Sequence, residues 1–390
     1  MTRRHLLLIH RWLGLALALW FILLGLTGSV LVFQSEVDQW LNPALLRDDR
    51  RGGPVGPETA IVTVGAHFPA AAVERVRMPD TAGDVYRLLL REQGSRRIGS
   101  LRIEAMVSPV TGELLGTRPA ESYGLDAPRV VRTVYDLHHK VLLGNSGKTA
   151  VGTVGVLLLV MLVLGVVLAT ANAGRLGARG LLGIRWSASG TRMVYDAHRS
   201  TGLIMGVLLL VSTVTGFTLA FPDYAREAVG LFSKVVAFPA VPWTGRGPDG
   251  PRPTLAEVRD RTVGAYPGRT VTEIHMPLRA NAGYLFYLRG PGDVHRLGDT
   301  LAWVHPGTAT ILLERSTRTR SAGEHLLHWL MPLHSGVAFG LAGRVVMCAA
   351  GFVPLVMGIT GLLLWLRKRR SAAVARRRRD ARGSGAGQPD

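Results

Sequence analysis

The chain has 390 residues, 47% of them hydrophobic, a formal net charge of +19 and a positive mean hydropathy. That balance is too apolar for an ordinary soluble chain and too polar for one built only of membrane spans, so polar domains must hang from a membrane anchor. A single cysteine, Cys348, excludes intrachain disulfides and cysteine-held iron–sulfur clusters.

The first element in chain order is "LLIHRWLGLALALWFILLGLTGSVLVF", residues 7–33. Its basic lead resembles a signal sequence, but the apolar run is longer than a signal core and has no small-x-small cleavage site, so a retained transmembrane helix is expected at 1–33. Windows 13–33, 151–170, 201–221 and 345–366 are each long and apolar enough to cross about 30 Å of hydrocarbon. Domain-sized inserts, 34–132 and 222–324, separate the first two and the last two spans. In the first, "PETAIVTVGAHF" reads as a helix, "DVYRLLLRE" as a strand and "PVTGE" as a turn; in the second, "TLAEVRDRTVGAYP" is the helix and "GYLFYLRG" the strand. Two small α+β domains are therefore predicted. Short His-bearing segments lead into the second and fourth spans (133–170 and 325–366), 171–196 connects the halves, 197–221 is the third span and 367–390 is a basic tail.

Charge sets the expected orientation. Residues 171–199 carry five Arg against one Asp, and the tail carries nine Lys or Arg against two Asp, whereas both inserts are nearly balanced. Lys/Arg-rich connections stay in the cytoplasm, which places both termini and the middle connection inside a bacterial inner membrane and both inserts in the periplasm. The basic tail is read as a positive-inside signal touching anionic lipid and not as a nucleic-acid-binding arm.

Two internal repeats organise the rest. At an offset of 188, His10, Arg11, Gly14, Leu15, Thr27, Gly28 and Phe33 fall on His198, Arg199, Gly202, Leu203, Thr215, Gly216 and Phe221. At an offset of 196, "LHHKVLLGNSGK" (137–148) falls on "LHSGVAFGLAGR" (333–344), pairing His138 with His334, Gly144 with Gly340, Gly147 with Gly343 and Lys148 with Arg344; further on, Gly165 pairs with Gly361. The chain is two copies of one unit: helix, outside domain, short His-bearing segment, helix. The glycines after His138 and His334 predict a brief helix, a tight turn and then a span.

The repeated histidines fall into two sets by depth, His10 with His198 at the inner face and His138 with His334 at the outer. A parallel repeat related by a two-fold axis along the membrane normal places equivalent histidines across from each other. Two imidazoles facing across an apolar gap suit a b-type haem; zinc, which usually takes four ligands, and plain interfacial packing are the alternatives. Arg11, Arg199, Lys140, Lys148 and Arg344 are candidate partners of haem propionates. Snorkelling to lipid phosphates explains any one of them equally well. Gly14, Gly25, Gly28, Gly202, Gly206 and Gly216 suit either a flat ring near the backbone or close helix packing. In "VYDLH" and "VYDAH", Asp136 and Asp196 read as N-caps that put His138 and His198 in a first helical turn. His139 and His328 are alternative ligands, His325 lies nearby, and His67, His275, His295 and His305 read as ordinary surface residues.

"IHRWLGL", "LHHKVLLGNSGK", "AHRSTGLIMG" and "LHSGVAFGLAGR" resemble the motifs of the PepSY-associated transmembrane helix family; "VSPVTGELLG" (107–116) resembles the end of a PepSY domain, and "VHPGTATILLE" (304–314) is a weaker copy. The resemblance covers nearly all the chain except the tail. It implies an integral membrane α-helical protein with four transmembrane helices as two repeats and two periplasmic α+β PepSY-like domains. It further implies haem b, two per chain, held by His10, His198, His138 and His334, and reduction of a periplasmic ferric siderophore. No Gly-rich nucleotide fingerprint follows a strand, so the expected electron donor is a quinol or a separate flavoprotein. Two other readings accompany this one: a quinol-linked cytochrome serving a copper or protein-thiol acceptor, and a non-redox regulator whose PepSY-like domains bind a peptidase or partner protein.

Overall fold

A computed structural model describes residues 2–92, 102–171, 173–236, 252–279 and 282–384. Helix α1 (Arg3–Val32) leads into the short helices α2 (Gln34–Leu41) and α3 (Pro43–Leu46). Next come α4 (Pro57–His67) and strands β1 (Ala71–Arg77), β2 (Tyr86–Glu92), β3 (Arg102–Val107) and β4 (Leu114–Pro119), then α5 (Ala127–Lys140) and α6 (Gly144–Thr170). After α7 (Ala173–Leu182) the plan repeats with α8 (Gly190–Ile204), α9 (Gly206–Ala220), α10 (Pro222–Gly230) and α11 (Leu255–Ala265). Strands β5 (Thr270–His275), β6 (Tyr284–Arg289), β7 (Thr300–Val304) and β8 (Ile311–Arg315) follow, then α12 (Ala322–Ser335), α13 (Gly340–Ala350) and α14 (Val353–Ser384).

Among the described residues, α1, α6 and the α13–α14 run are long and apolar enough to cross a membrane, and the α8–α9 pair makes a fourth if it is one span. That pair corrects the unbroken helix expected over 201–221: it bends by 58° at Met205. Gly206 opens the second piece, and glycine there lowers the resistance to a kink. The fourth span is also interrupted, just before Pro354, which has no N–H to give back to the preceding turn. At that interruption the Gly25 and Gly351 backbones of α1 and the fourth span touch, and Ser29 donates to the Cys348 carbonyl at 2.8 Å.

The inserts, expected as two domains, share one antiparallel sheet of order β4-β3-β2-β1-β5-β6-β7-β8. The seam is the β1–β5 pairing, with Val76 opposite Ile274 and Arg77 opposite Glu273. Buried Glu273 takes ion pairs from Arg77 at 2.8 Å and Arg75 at 3.5 Å, both from the other half. Strand alternation assigns the faces. Leu88, Leu90, Ala105 and Val107 bury Ala60 and Val64 of α4, while Phe286, Leu288, Ala302 and Val304 bury Val258 of α11. The opposite face reaches the helical bundle. There Arg118 forks onto both Asp38 oxygens of α2 at 2.7 and 2.8 Å, and its Nε donates to Glu104 at 2.7 Å. Burial pushes the Glu104 carboxyl up, but Arg87 and Arg118 outweigh it and hold the group at about 2.

The sheet caps one end of the bundle, and the other carries the termini of the outer spans. Near the sheet, α5 ends in left-handed Val141 and Leu142, and α12 ends at Gly336. Gly144 and Gly340, equivalent in the repeat, have φ of 59° and 61°, the turn that the spacing predicted.

Candidate functional site: a histidine pair at each end of the bundle

Every histidine that the repeat singled out meets its mate. At the tail end His10 of α1 and His198 of α8 have ring centroids 6.4 Å apart; at the sheet end His138 of α5 and His334 of α12 are 6.2 Å apart. About 26 Å of α1 separates His10 from Thr27, which touches His138, at 1.5 Å rise per residue.

The tautomer of each ring follows from its partners. His10 Nδ1 lies 3.2 Å from the Met161 carbonyl and His334 Nδ1 lies 3.1 Å from the Ser212 carbonyl; a carbonyl only accepts, so both nitrogens donate. His138 Nδ1 is 3.0 Å from Thr27 Oγ1, and His198 Nδ1 is 2.8 Å from Thr360 Oγ1. These hydroxyls already donate to the carbonyls of Leu23 and Val356 one turn back, at 2.6 and 2.7 Å, so they accept from the rings. Thr215 does the same for His334 at 3.0 Å. All four Nδ1 atoms are thus occupied as donors, leaving each Nε2 as the lone-pair nitrogen.

Glycines seat the rings. A Cβ added at Gly28, Gly216 or Gly165 would lie 3.1 Å from Cε1 of His138, His334 or His10, and at Gly361 it would lie 3.4 Å from that of His198. Gly28 and Gly216, expected beside a flat ring or a packed helix, instead admit imidazoles. Gly14 and Gly202 face Met161 and Met357.

The separation is chemically specific. Two imidazoles that each place Nε2 about 2 Å from one metal ion, with the centroid about 1.1 Å further, stand about 6.2 Å apart when they lie on opposite sides of it. Among the described residues no group of three or more His, Cys, Asp or Glu is arranged to hold a metal, so a tetrahedral zinc set lacks its other ligands. A haem brings its own four equatorial nitrogens and asks only for the two axial ones. The donor set fits a haem at both ends.

With this geometry the family pattern agrees: the PepSY-associated TM region matches residues 7–368. The chain belongs to this family. Among curated proteins nothing matches the chain. As a member of the PepSY-associated TM family it is a membrane protein, and the matched region includes both histidine pairs.

The other candidates divide. Arg11 keeps a buried Nε without a hydrogen-bond partner among the described residues and lies over Trp12 at 5.0 Å. Arg199 fastens the connection between the halves through the Leu181 and Gly183 carbonyls at 2.8 and 3.2 Å and pairs with Asp196, leaving only Nη1 over. Arg367, which sequence reasoning left in the basic tail, also has a buried unpartnered Nη1, beside Gly190 at the start of α8. Arg344 is committed elsewhere: it donates to the Val32 carbonyl at 2.9 Å, pairs with Glu36 at 2.6 Å and covers Phe33. Lys140 pairs with Asp136 at 3.4 Å, and Lys148 stands near His139.

Four readings need correction. Asp136 and Asp196 are not N-caps, since Asp126 and Ser189 hold those positions and His138 lies in the last turn of α5. Both aspartates are buried and neutralised, Asp136 by Arg132 and Lys140 and Asp196 by Arg185, Arg192 and Arg199. His139 packs on Tyr135 at 5.6 Å, and the pair is made by His138. His328 is no ligand of the sheet-end pair, because its Nε2 bonds Asp299 at 2.8 Å. Nor are His275, His295 and His305 ordinary surface residues: His275 bonds buried Glu273, His295 stacks on His328 at 4.2 Å, and His305 is buried.

Proposed function

We propose that the protein is a di-haem b-type cytochrome of the bacterial inner membrane that reduces a periplasmic ferric siderophore. The observation that carries this reading is the commitment of all four Nδ1–H groups, which leaves two lone-pair Nε2 nitrogens per site on rings whose centroids are 6.4 and 6.2 Å apart. His10 and His198 hold one haem and His138 and His334 the other; Arg11 and Arg367 offer free N–H groups to propionates at the tail end. When bound, each haem supplies reversible one-electron chemistry, with axial ligands and burial tuning its potential.

The chain's own residues orient and insulate. Thr27, Thr215, Thr360 and the Met161 carbonyl fix the ring planes, an outer shell that typically controls affinity 10–100-fold. Trp20 lies on α1 between the two layers, its indole N–H buried and without a hydrogen-bond partner among the described residues. The basic connection and tail assign the tail end to the cytoplasm, where a quinol or a separate flavoprotein delivers electrons, and the sheet to the periplasm. The siderophore's hard oxygen donors hold Fe(II) less strongly than Fe(III), so reduction releases the iron.

Absorption spectra of the purified protein, oxidised and then dithionite-reduced, together with extracted haem, test the reading. Two b haems per chain are expected, and a preparation supplied with haem that binds none overturns it. Side is tested with oriented vesicles. A membrane-impermeant ferric siderophore should oxidise reduced protein only in right-side-out vesicles; equal rates in both orientations would remove the periplasmic assignment.

A further inference from the structure

One cluster of titratable groups stands apart from both histidine pairs. Asp299, buried in the loop that leads into β7, accepts from the backbone N–H groups of Val294 at 3.0 Å and His295 at 3.1 Å and from His328 Nε2 at 2.8 Å. His295 Nε2 donates to the His328 carbonyl at 3.0 Å, and the two rings stack with centroids 4.2 Å apart. Arg320 donates to the Asp299 carbonyl at 2.8 Å and keeps a buried Nη1 with no hydrogen-bond partner among the described residues. The loop also reaches the bundle, since Arg296 bonds Ser35 of α2. His328 precedes His334 on α12 by about 9 Å of helix. The cluster therefore sits beside the sheet-end pair.

We propose that His328, oriented by Asp299, is the proton donor for the acceptor reduced at the sheet end, and that Arg320 holds an anionic arm of that acceptor. This rests on the cytochrome reading. The Asp299 carboxyl is held at about 2: burial opposes ionisation, but His328 and the N–H groups of Val294 and His295 outweigh it. With Nε2–H committed to Asp299, a proton that His328 gives up leaves from Nδ1. The remaining charges near the cluster are already spent, Arg315 on Glu324 and Asp293 on Arg269, while His325 bonds the Thr317 carbonyl.

The step balances. A haem held by His138 and His334 would supply the one electron that takes Fe(III) of an oxygen-donor chelate to Fe(II). As that electron arrives, the Nδ1–H bond of His328 breaks and an O–H bond forms on the ligand oxygen, which then lets go of the metal. Periplasmic water returns the proton to His328.

Rapid mixing of dithionite-reduced protein with a ferric trihydroxamate, and separately with ferricyanide, tests the proposal, because ferricyanide needs an electron and no proton. His328→Gln should lose on the order of 10²-fold with the hydroxamate, as expected for a general acid, while its spectrum and its rate with ferricyanide stay unchanged. Equal losses with both acceptors, or a loss with neither, overturn the role of His328. A second measurement needs no haem: carbethoxylation of His328, read by peptide mass spectrometry at one pH, should be faster in Asp299→Asn, which frees Nε2 from its carboxylate, and an unchanged rate removes Asp299 as the orienting group. A protein that shows no reducible spectrum defeats the cytochrome reading itself, whereas a reducible protein whose hydroxamate reaction is unaffected by His328→Gln defeats this proposal alone.

Discussion

On the proposed reading His10 and His198 would each supply one nitrogen to a shared haem, so His10→Ala and His198→Ala should remove the same spectral component and leave that of His138 and His334 intact. Different losses in the two variants would break the pairing. Thr27→Val removes the acceptor of His138 Nδ1–H and strands that donor in an apolar setting. Haem retention at the sheet end should weaken by roughly 10–100-fold, read by competition with apomyoglobin, with the tail end unaffected. The four histidines were legible because a repeat marks them twice. The roles of the threonines were not, since Thr27 and His138 lie 111 positions apart and only folding brings them together. A partial signal was nevertheless present: of the six Thr-Gly dipeptides in the sequence, three, at 27–28, 215–216 and 360–361, have a Thr that accepts from the ring that its Gly seats.

At the scale of elements, hydropathy located the spans but not their breaks. Residues 201–221 remain apolar through Met205, so composition carries no mark of the 58° bend. The interruption near Gly351 coincides with a backbone contact to Gly25 that a side chain would block. Gly351→Leu should therefore part α1 from the fourth span, which lowered thermal stability of the solubilised protein and weakened haem retention at the sheet end would report. The attachment of α2 to the sheet makes a different prediction. Arg118→Ala removes the bidentate partner of Asp38 and leaves Glu104 with Arg87 alone, and breaking a buried pair typically costs about 3–5 kcal/mol. Glu104 also gives that attachment a pH dependence. Its folded-state pKa is depressed to about 2, so its contribution is complete above the unfolded value, near 4.3, and is lost as pH falls through about 2. Hydrogen exchange of α2 and β4 should rise in that acid window first.

For the whole molecule, both α+β inserts were legible as helix-and-strand units, whereas their fusion into one sheet was not. The seam is made by β1 and β5, which lie almost two hundred residues apart, and pairing between edge strands leaves no local sequence mark. Each half contributes one histidine to each pair. Fragments 1–180 and 181–390 should bind no haem when produced singly and should recover both sites when produced together, with haem content per reassembled chain as the measure. Binding by either fragment alone would contradict the shared sites.

The rotation that relates the halves runs along the bundle, so it exchanges the two members of a pair and never exchanges the tail end with the sheet end. Such symmetry balances each site but gives a current no direction and no preferred exit. Those properties have to come from residues without a mate. At the offset of 196, Asp299, His328 and Arg320 fall opposite Ile103, Arg132 and Gly124, none of which can repeat their chemistry. On the proposed cytochrome reading, a conduit with two-fold symmetry would therefore have a single lopsided exit, and each chain would serve one acceptor at a time instead of two.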